Sequence, residues 1–284
     1  MVFAQQDSIY IEAKVSNDKK QITVYQEITY INKSDSALSV IKLLNWVAAY
    51  QNRNTPLVKR NLEDRKNDLY FAQPTELGGL ANLKVTIQEQ TVTDLDSQKE
   101  NIFIPLLKTL EKGEKITFTL EYLLNLPNQK FTGYGTDGNK ISLKYFFLVP
   151  DSFDHQNSQE KKFIDIEENQ SPGNYWKILL DVPVNHYSQS NLPQIQPNYF
   201  EGNLNTNPEF LISANNFPKI STVIEGKKTE ITFGYFLTET EKQNLEFYLP
   251  LQLNFIKNKT GFLPATIFIS EKFKNDENFT GLDD

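Results

Sequence analysis

The sequence predicts a mainly β protein: a large antiparallel or mixed sheet, or a saddle-like sandwich, followed by a short helix and one more strand. Three observations carry that expectation. Apolar residues alternate at period two through the first two thirds of the chain, as half-buried strands require. Twenty Phe and thirteen Tyr stand against one Met, and aromatic rings pack well on a pleated surface. From Glu239 to Lys257 the apolar spacing turns helical.

The elements follow in order. SIYIEAKV puts Ile9, Ile11, Ala13 and Val15 on one face. After the polar Asn17-Asp18-Lys19-Lys20 turn, ITVYQEITYIN returns with Ile22, Val24, Ile28 and Tyr30, which predicts a β-hairpin closed by the polar run from Asn32 to Ser36. SVIKLLNWVAAY is apolar on both parities and predicts a buried strand or an edge segment. Residues 51–80, with Pro56, Pro74 and the Gly78-Gly79 pair, read as long loops. ANLKVTIQEQTV resumes the strands. NIFIPL and KITFTLEYLLNLP, joined by Glu111-Lys112-Gly113-Glu114, read as a two-stranded unit. The Gly-rich TGYGTDG reads as a flexible turn, since it lacks the P-loop Lys and precedes a strand.

KISLKYFFLVP, YWKILLDVP, EFLIS and TEITFGYFL are further strands, and the polar stretch Asp151–Asn174 is too hydrophilic for core. In the helical segment Pro250 removes one hydrogen bond, so one kinked helix or two short ones are expected. Gly261 sits where a helix C-terminal glycine belongs, and Pro264 opens the strand ATIFIS. The expected organisation is an N-terminal segment 1–8, a β-rich domain 9–236 and a different unit, begun but not completed, over 237–284.

Composition narrows the function. The chain has 284 residues, 39% of them hydrophobic, enough for a sizeable core. The net charge is −7 with no basic stripe, which speaks against nucleic acid as a partner. There is no cysteine, so neither disulfides nor thiolate metal sites arise. No apolar run reaches the roughly 18 residues of a membrane-spanning helix. Val2-Phe3-Ala4 followed by Gln5-Gln6-Asp7-Ser8 looks like the tail of a secretory signal, which predicts export to the periplasm, the cell surface or the medium. The Asn-x-Ser/Thr matches at Asn32, Asn169, Asn258 and Asn278 are what an Asn-rich chain produces by chance.

Self-sufficient catalytic machinery is not visible. Zinc hydrolysis needs about three protein ligands and a general base. The two histidines, His155 and His186, are far apart and neither belongs to an H-E-x-x-H pair. No G-x-S-x-G elbow is present, and the acid pair Glu167-Glu168 reads as a solvated face. The acids are too dispersed to nominate a glycosidase pair.

The order of the pieces resembles the N-terminal half of gluzincin zinc aminopeptidases, the aminopeptidase N family, and its exported bacterial members most of all. QITVYQEITYINKSDSALSVIKLLNW is similar to the family's opening "Y-x-N-x-S" strand and the leucine-rich strand after it. IFIPLLKTLEKGEKITFTLEYLLNLP is similar to its "pL-x-x-G-e-x-i-x-l-x-l-x-y" unit, and YWKILLDVPVNHYSQSNL to its "dV-x-i-x-v-P-x-n-y" strand. NLEFYLPLQLNFIKNKTGFLPATIFIS resembles the first helix of the thermolysin-like catalytic domain, "l-x-f-f-x-x-x-f-G-x-y-P", and the strand that follows.

The resemblance implies the scaffold and substrate-cleft wall of a peptide N-terminus hydrolase. Its zinc would lie in the catalytic part beyond this chain, with no metal ligand or catalytic residue here. Its partners would be the peptide substrate and the parent catalytic domain. In the family the strand after G-x-x-P leads to a G-x-M-E-N loop, whose glutamate binds the substrate amine. Gly281, Leu282, Asp283 and Asp284 fall at that place, with Leu282 for Met, Asp283 for Glu and Asp284 for Asn. A second amine-binding Gln or Glu of the β domain would be expected around LKYFFLVPDSFD but has no identifiable match. The alternative is an exported β-sandwich binding or adhesion module whose exposed aromatics, such as Tyr50, Tyr134 and Tyr187, line a groove.

Overall fold

A computed structural model describes residues 6–151, 161–165, 173–235 and 237–269. The first strands are β1 (Ser8–Val15), β2 (Gln21–Ile31) and β3 (Leu38–Leu44). After a 3-10 turn at Trp46–Tyr50 comes helix α1 (Pro56–Glu63). Then follow β4 (Gly79–Ile87), β5 (Gln90–Val92), β6 (Asn101–Leu110), β7 (Lys115–Asn125), β8 (Gly135–Thr136), β9 (Lys140–Lys144) and β10 (Val149–Pro150). The next are β11 (Asn174–Asp181), β12 (Tyr187–Ser190), β13 (Gln194–Gln196), β14 (Tyr199–Leu204) and β15 (Glu209–Ser213). The last are β16 (Lys219–Ile224), β17 (Lys227–Phe233), helix α2 (Glu239–Thr260) and β18 (Thr266–Ile269).

The protein is mainly β, as expected, and its largest sheet is mixed. Eight strands lie in the order β13-β14-β11-β1-β2-β7-β4-β5. β1 pairs β11 in parallel, and the other pairs of this sheet are antiparallel. The expected hairpin forms: β1 and β2 pair from Ser8↔Thr29 to Val15↔Ile22, and Ile9, Ile11, Ala13, Val15, Ile22, Val24, Ile28 and Tyr30 all face the core. A three-stranded sheet, β10-β3-β6, and a four-stranded one, β12-β15-β9-β8, close over the buried face. One apolar cluster joins all three sheets, with Phe118 and Trp176 from the large sheet, Ile41 and Ile104 from the second, and Ile141 and Phe210 from the third.

The strand pairing departs from expectation at one connection. β6 and β7 do not form a two-stranded unit: β6 pairs β3, whereas β7 lies between β2 and β4. The Gly113 turn therefore carries the chain from one sheet to another. Its N–H donates to the Asn32 carbonyl, at the far end of β2, rather than closing a simple hairpin.

Residues 51–80 are not all loop. Thr55 caps α1 by accepting the Val58 N–H, and Pro56 takes the first helical position, where its missing N–H costs nothing. TGYGTDG is not a free turn either. It enters β8 with Tyr134, Gly135 and Thr136 buried. Gly135 holds φ +119, and a Cβ there would meet the Pro127 carbonyl oxygen at 2.1 Å.

The last three strands, β16-β17-β18, form their own sheet, in which α2 connects β17 to the parallel β18. This sheet joins strands from both sides of residue 236, where the sequence suggested a boundary. A second cluster of Ile220, Ile224, Ile231, Phe233, Leu249, Leu253, Leu263 and Ile267 holds it together. α2 runs through Pro250 as one helix. An interior proline costs about 3 kcal/mol, and burial of Leu249 and Leu253 on either side of it works against that cost. Thr238 and Glu241 cap each other's backbone N–H at the start, and Gly261 closes the end at φ 73, as the sequence indicated.

Candidate functional site

The functional residues read from the sequence do not come together among the described residues. Gly281, Leu282, Asp283 and Asp284 lie outside the described residues, as do His155 and the Glu167-Glu168 pair. β18 ends at Ile269, before that segment. His186 sits in the turn before β12, with its Nδ1 3.1 Å from the Val184 carbonyl oxygen. Among the described residues no three or more His, Cys, Asp or Glu side chains converge on a metal position, so these residues do not fit a zinc ion.

The aromatics proposed for a groove divide. Tyr50 and Tyr134 are buried in the core, while Tyr187 is exposed. Tyr50 hydrogen-bonds the Thr132 hydroxyl at 2.7 Å, and burial pushes its phenol far up. Two of the three rings therefore have no surface to offer, because each fills space between sheets.

The segment where the sequence suggested a second amine-binding residue is held by several buried contacts. Leu143–Asp151 contains neither Gln nor Glu. Its carboxylate neighbour is Glu209, which β15 places opposite Lys144 of β9. Glu209 is buried and Lys144 partly so, with the Lys144 ammonium 3.7 Å from the Glu209 carboxylate. That ammonium also lies 6.0 Å from the Tyr134 ring centre and 5.8 Å from that of Tyr145, within cation–π range. Glu209 is thus committed inside the protein and is not an open acidic group. The two residues are 65 positions apart and meet only through strand register.

Tyr145 follows in the left-handed region at φ 62, a conformation that costs a non-glycine residue on the order of 1–3 kcal/mol. Its ring stacks on Trp46 at 6.2 Å, and Trp46 in turn touches Tyr50 and Phe163 at 5.4 and 5.5 Å. The backbone turn directs Phe146, Phe147 and Leu148 into the core. Two buried polar groups then hold Leu148. Gln26 donates from its amide to the Leu148 carbonyl at 2.6 Å, while the Tyr122 hydroxyl donates to Gln26 Oε1 at 2.7 Å.

The segment ends on a buried ionic cluster. Asp151 lies 3.0 Å from the Lys42 ammonium and 3.0 Å from that of Lys161. Burial pushes its carboxyl up, but bonds to Lys161 and Lys42 outweigh that and hold it below the usual carboxylate value. Lys161 is itself fixed by two backbone bonds to the Asn101 side chain. Tyr30 lies in the field of this group. Burial, helped by the charges of Asp7 and Asp151, raises its phenol to about 12.

An open cleft of about 520 Å³ lies between α1 and the 3-10 turn at Gln129–Phe131. Leu57, Leu69, Phe131 and Ile164 give it apolar walls, and Arg60, Asp64, Lys130 and Asp165 line its polar side. Arg60 is paired along the helix with Glu63 and Asp64, and Lys130 with Glu76.

No protein-family model matches the sequence, and no curated protein matches it. Solved structures do match the arrangement of sheets and helix just described. The fold is shared with M1 zinc metallopeptidases. The enzyme from Deinococcus radiodurans aligns over 94% of this chain at TM-score 0.53 and 8% identity. A mutant of that enzyme bound to a Tyr-Ser-Ala substrate aligns over the same share at 0.51 and 9%. A two-domain M1 mutant bound to L-arginine gives 0.53 and 8%. The chain spans only 55–57% of the length of these M1 structures. At this identity the likeness is one of fold, and it brings no M1 residue onto a position of this chain.

Proposed function

We propose that this chain is the β-rich N-terminal part of an exported zinc metallopeptidase resembling aminopeptidase N, together with the opening of its catalytic domain. The observation that carries the reading is the alignment of 94% of this chain with just over half of an M1 zinc metallopeptidase. The role proposed for the β sheets is scaffold and wall of a cleft in which peptide N-termini are hydrolysed. The over-determined segment Lys144–Asp151 suits a wall, since strain, a buried ion pair and a hydrogen-bonded amide fix it before any substrate arrives. Zinc and its ligands are assigned to the catalytic part beyond Asp284. Asp283 is proposed to take the place of the amine-binding glutamate, with the shorter side chain reaching one methylene less far. The adhesion reading is not favoured, because the fold is that of M1 enzymes and two of its three aromatics are buried.

The test is hydrolysis of aminoacyl-anilides with added zinc. The 284-residue chain is expected to show no turnover, and the full product of the gene to carry an H-E-x-x-H motif downstream and to be active. Clear turnover by the chain alone would refute the reading, as would a gene that ends without such a motif.

A further inference from the structure

The solvent face of the large sheet repeats one chemical unit, a phenol ring beside a carboxylate. Ile9, Ile11, Val24 and Ile28 point into the core, so Tyr10, Glu12, Tyr25 and Glu27 point away from it. Strand register sets these four in a square: Tyr10 lies opposite Glu27, and Glu12 opposite Tyr25. Glu12, Glu27 and Tyr25 are exposed and Tyr10 is half-buried. The Tyr10 hydroxyl donates to the Glu12 carboxylate. Burial, then the charges of Glu27, Glu12 and Glu121, raises the Tyr25 phenol, so that ring lies in the field of both acids of the square. On the neighbouring strands β11 and β14 the same unit is filled. Tyr175 donates its hydroxyl to Glu201, and the Lys177 ammonium lies 3.4 Å from that carboxylate and 5.7 Å from the Tyr175 ring centre. The other acids of this face, Glu121 and Asp181, hold Lys84 and Lys14 at 3.0 Å. Glu12 and Glu27 form no ion pair among the described residues.

We infer that the square of Tyr10, Glu12, Tyr25 and Glu27 is a binding site for an extended peptide segment with Lys or Arg at positions i and i+2. Three observations choose this occupant. The first is charge: two carboxylates without cations, on a chain of net charge −7, attract a basic partner and repel an acidic one. The second is the rings. A cation beside a phenol gains cation–π attraction as well as charge, as Lys177 does at Tyr175. The third is spacing. Glu12 and Glu27 are diagonal neighbours on paired strands, roughly 7–8 Å apart. Side chains i and i+2 of an extended peptide stand about 6.6–6.8 Å apart on one side, so two basic residues meet both acids at once. A neutral glycan would stack on the rings but leave both charges unmatched. Among the described residues no third acid or imidazole joins the pair as a metal ligand. The inference stands apart from the metallopeptidase reading, because it uses only the solvent face of β1 and β2.

The experiment titrates the 284-residue chain into a labelled peptide of alternating Lys and Thr, read by fluorescence anisotropy at low and at high salt. A peptide with the same number of Lys at every third position puts neighbouring Lys on opposite sides of an extended chain, and is the control for spacing. Expected is saturable binding of the alternating peptide, severalfold tighter than the control and weaker at high salt. Glu12→Gln, Glu27→Gln and Tyr25→Leu should each weaken it about two- to fivefold, with circular dichroism unchanged. Glu89→Gln removes the same charge at the exposed turn between β4 and β5, and should leave binding as it was. Absence of binding at low salt overturns the inference. So does equal binding of the two peptides, or an equal loss in Glu89→Gln, since either result means diffuse charge attraction only. Binding of a neutral oligosaccharide that Tyr25→Leu abolishes, with no binding of the peptide, overturns it in favour of a glycan site. None of these results bears on anilide hydrolysis, so the two readings fail separately.

Discussion

Replacing Asp151 by Asn tests whether the Lys42–Asp151–Lys161 cluster fixes the end of the constrained segment. The Asp151 side chain is 5% exposed, and its Lys42 partner 10%. Removing one member of a buried ion pair typically costs about 3–5 kcal/mol. Asn keeps one acceptor oxygen, so the lower end, about 3 kcal/mol, applies. For a chain of this size a urea slope of about 3 kcal/mol per molar is expected, which places the midpoint about 1 M lower. The assay is equilibrium urea unfolding at pH 7 at low and high salt, followed by tryptophan fluorescence. Trp46 stacks on Tyr145 and reports on the segment directly. Salt should change the difference little, because buried pairs are screened much less than exposed ones such as Lys14–Asp181. A midpoint shift under about 0.3 M, the range of a surface pair, would show that the cluster does not fix the segment.

The cluster also sets a pH dependence. Asp151 has its folded pKa below the ordinary value of 3.8. Its contribution is therefore present above 3.8 and is lost as pH falls through the folded value. The gap between the parent and Asp151→Asn should close over that acid range. Asp7 has the opposite sign. Burial raises its carboxyl above 3.8 in spite of Lys33 and the Ile31 N–H. Its contribution is full below 3.8 and is lost as pH rises through the folded value.

Two further substitutions probe the same architecture. Tyr122→Phe removes the hydroxyl that satisfies Gln26 Oε1 and should cost about 1–3 kcal/mol, read as a fall in urea midpoint, with no change if the bond is not formed. Gly135→Ala must force a Cβ against the Pro127 carbonyl at positive φ, and should cost more than about 3 kcal/mol or abolish soluble expression. A well-folded, equally stable Ala variant would show that TGYGTDG is a free turn after all.

Much of the scaffold is legible in the sequence because half-buried strands write their burial as alternation. The β1–β2 hairpin, the inward face of β7 and the Gly261 cap all stand where the pattern puts them. Alternation names a strand's faces but not its partners. Glu111-Lys112-Gly113-Glu114 carries a hairpin's turn residues, yet β6 pairs β3 in one sheet while β7 lies between β2 and β4 in another. α1 left a start signal in Thr55-Pro56, but only Leu57 and Val58 are buried, too few to show helical periodicity. Lys144 and Glu209 are uninformative alone. Their meeting depends on the register of β9 and β15, which no local pattern encodes.

The two apolar cores differ in how they are enclosed. The large cluster is enclosed by three sheets, and two of its polar intrusions arrive with partners: Gln26 with Tyr122 and Leu148, and Lys42 with Asp151. The second cluster has eight buried residues, two of them, Leu249 and Leu253, on α2 itself. Parallel pairing such as β17 with β18 is characteristic of sheets covered on both faces. Here the connecting helix itself carries a second apolar ridge facing outward. Phe247, Leu251 and Phe255 stand exposed on that outer side, so the inner side of α2, with Leu249 and Leu253, carries its packing on the sheet.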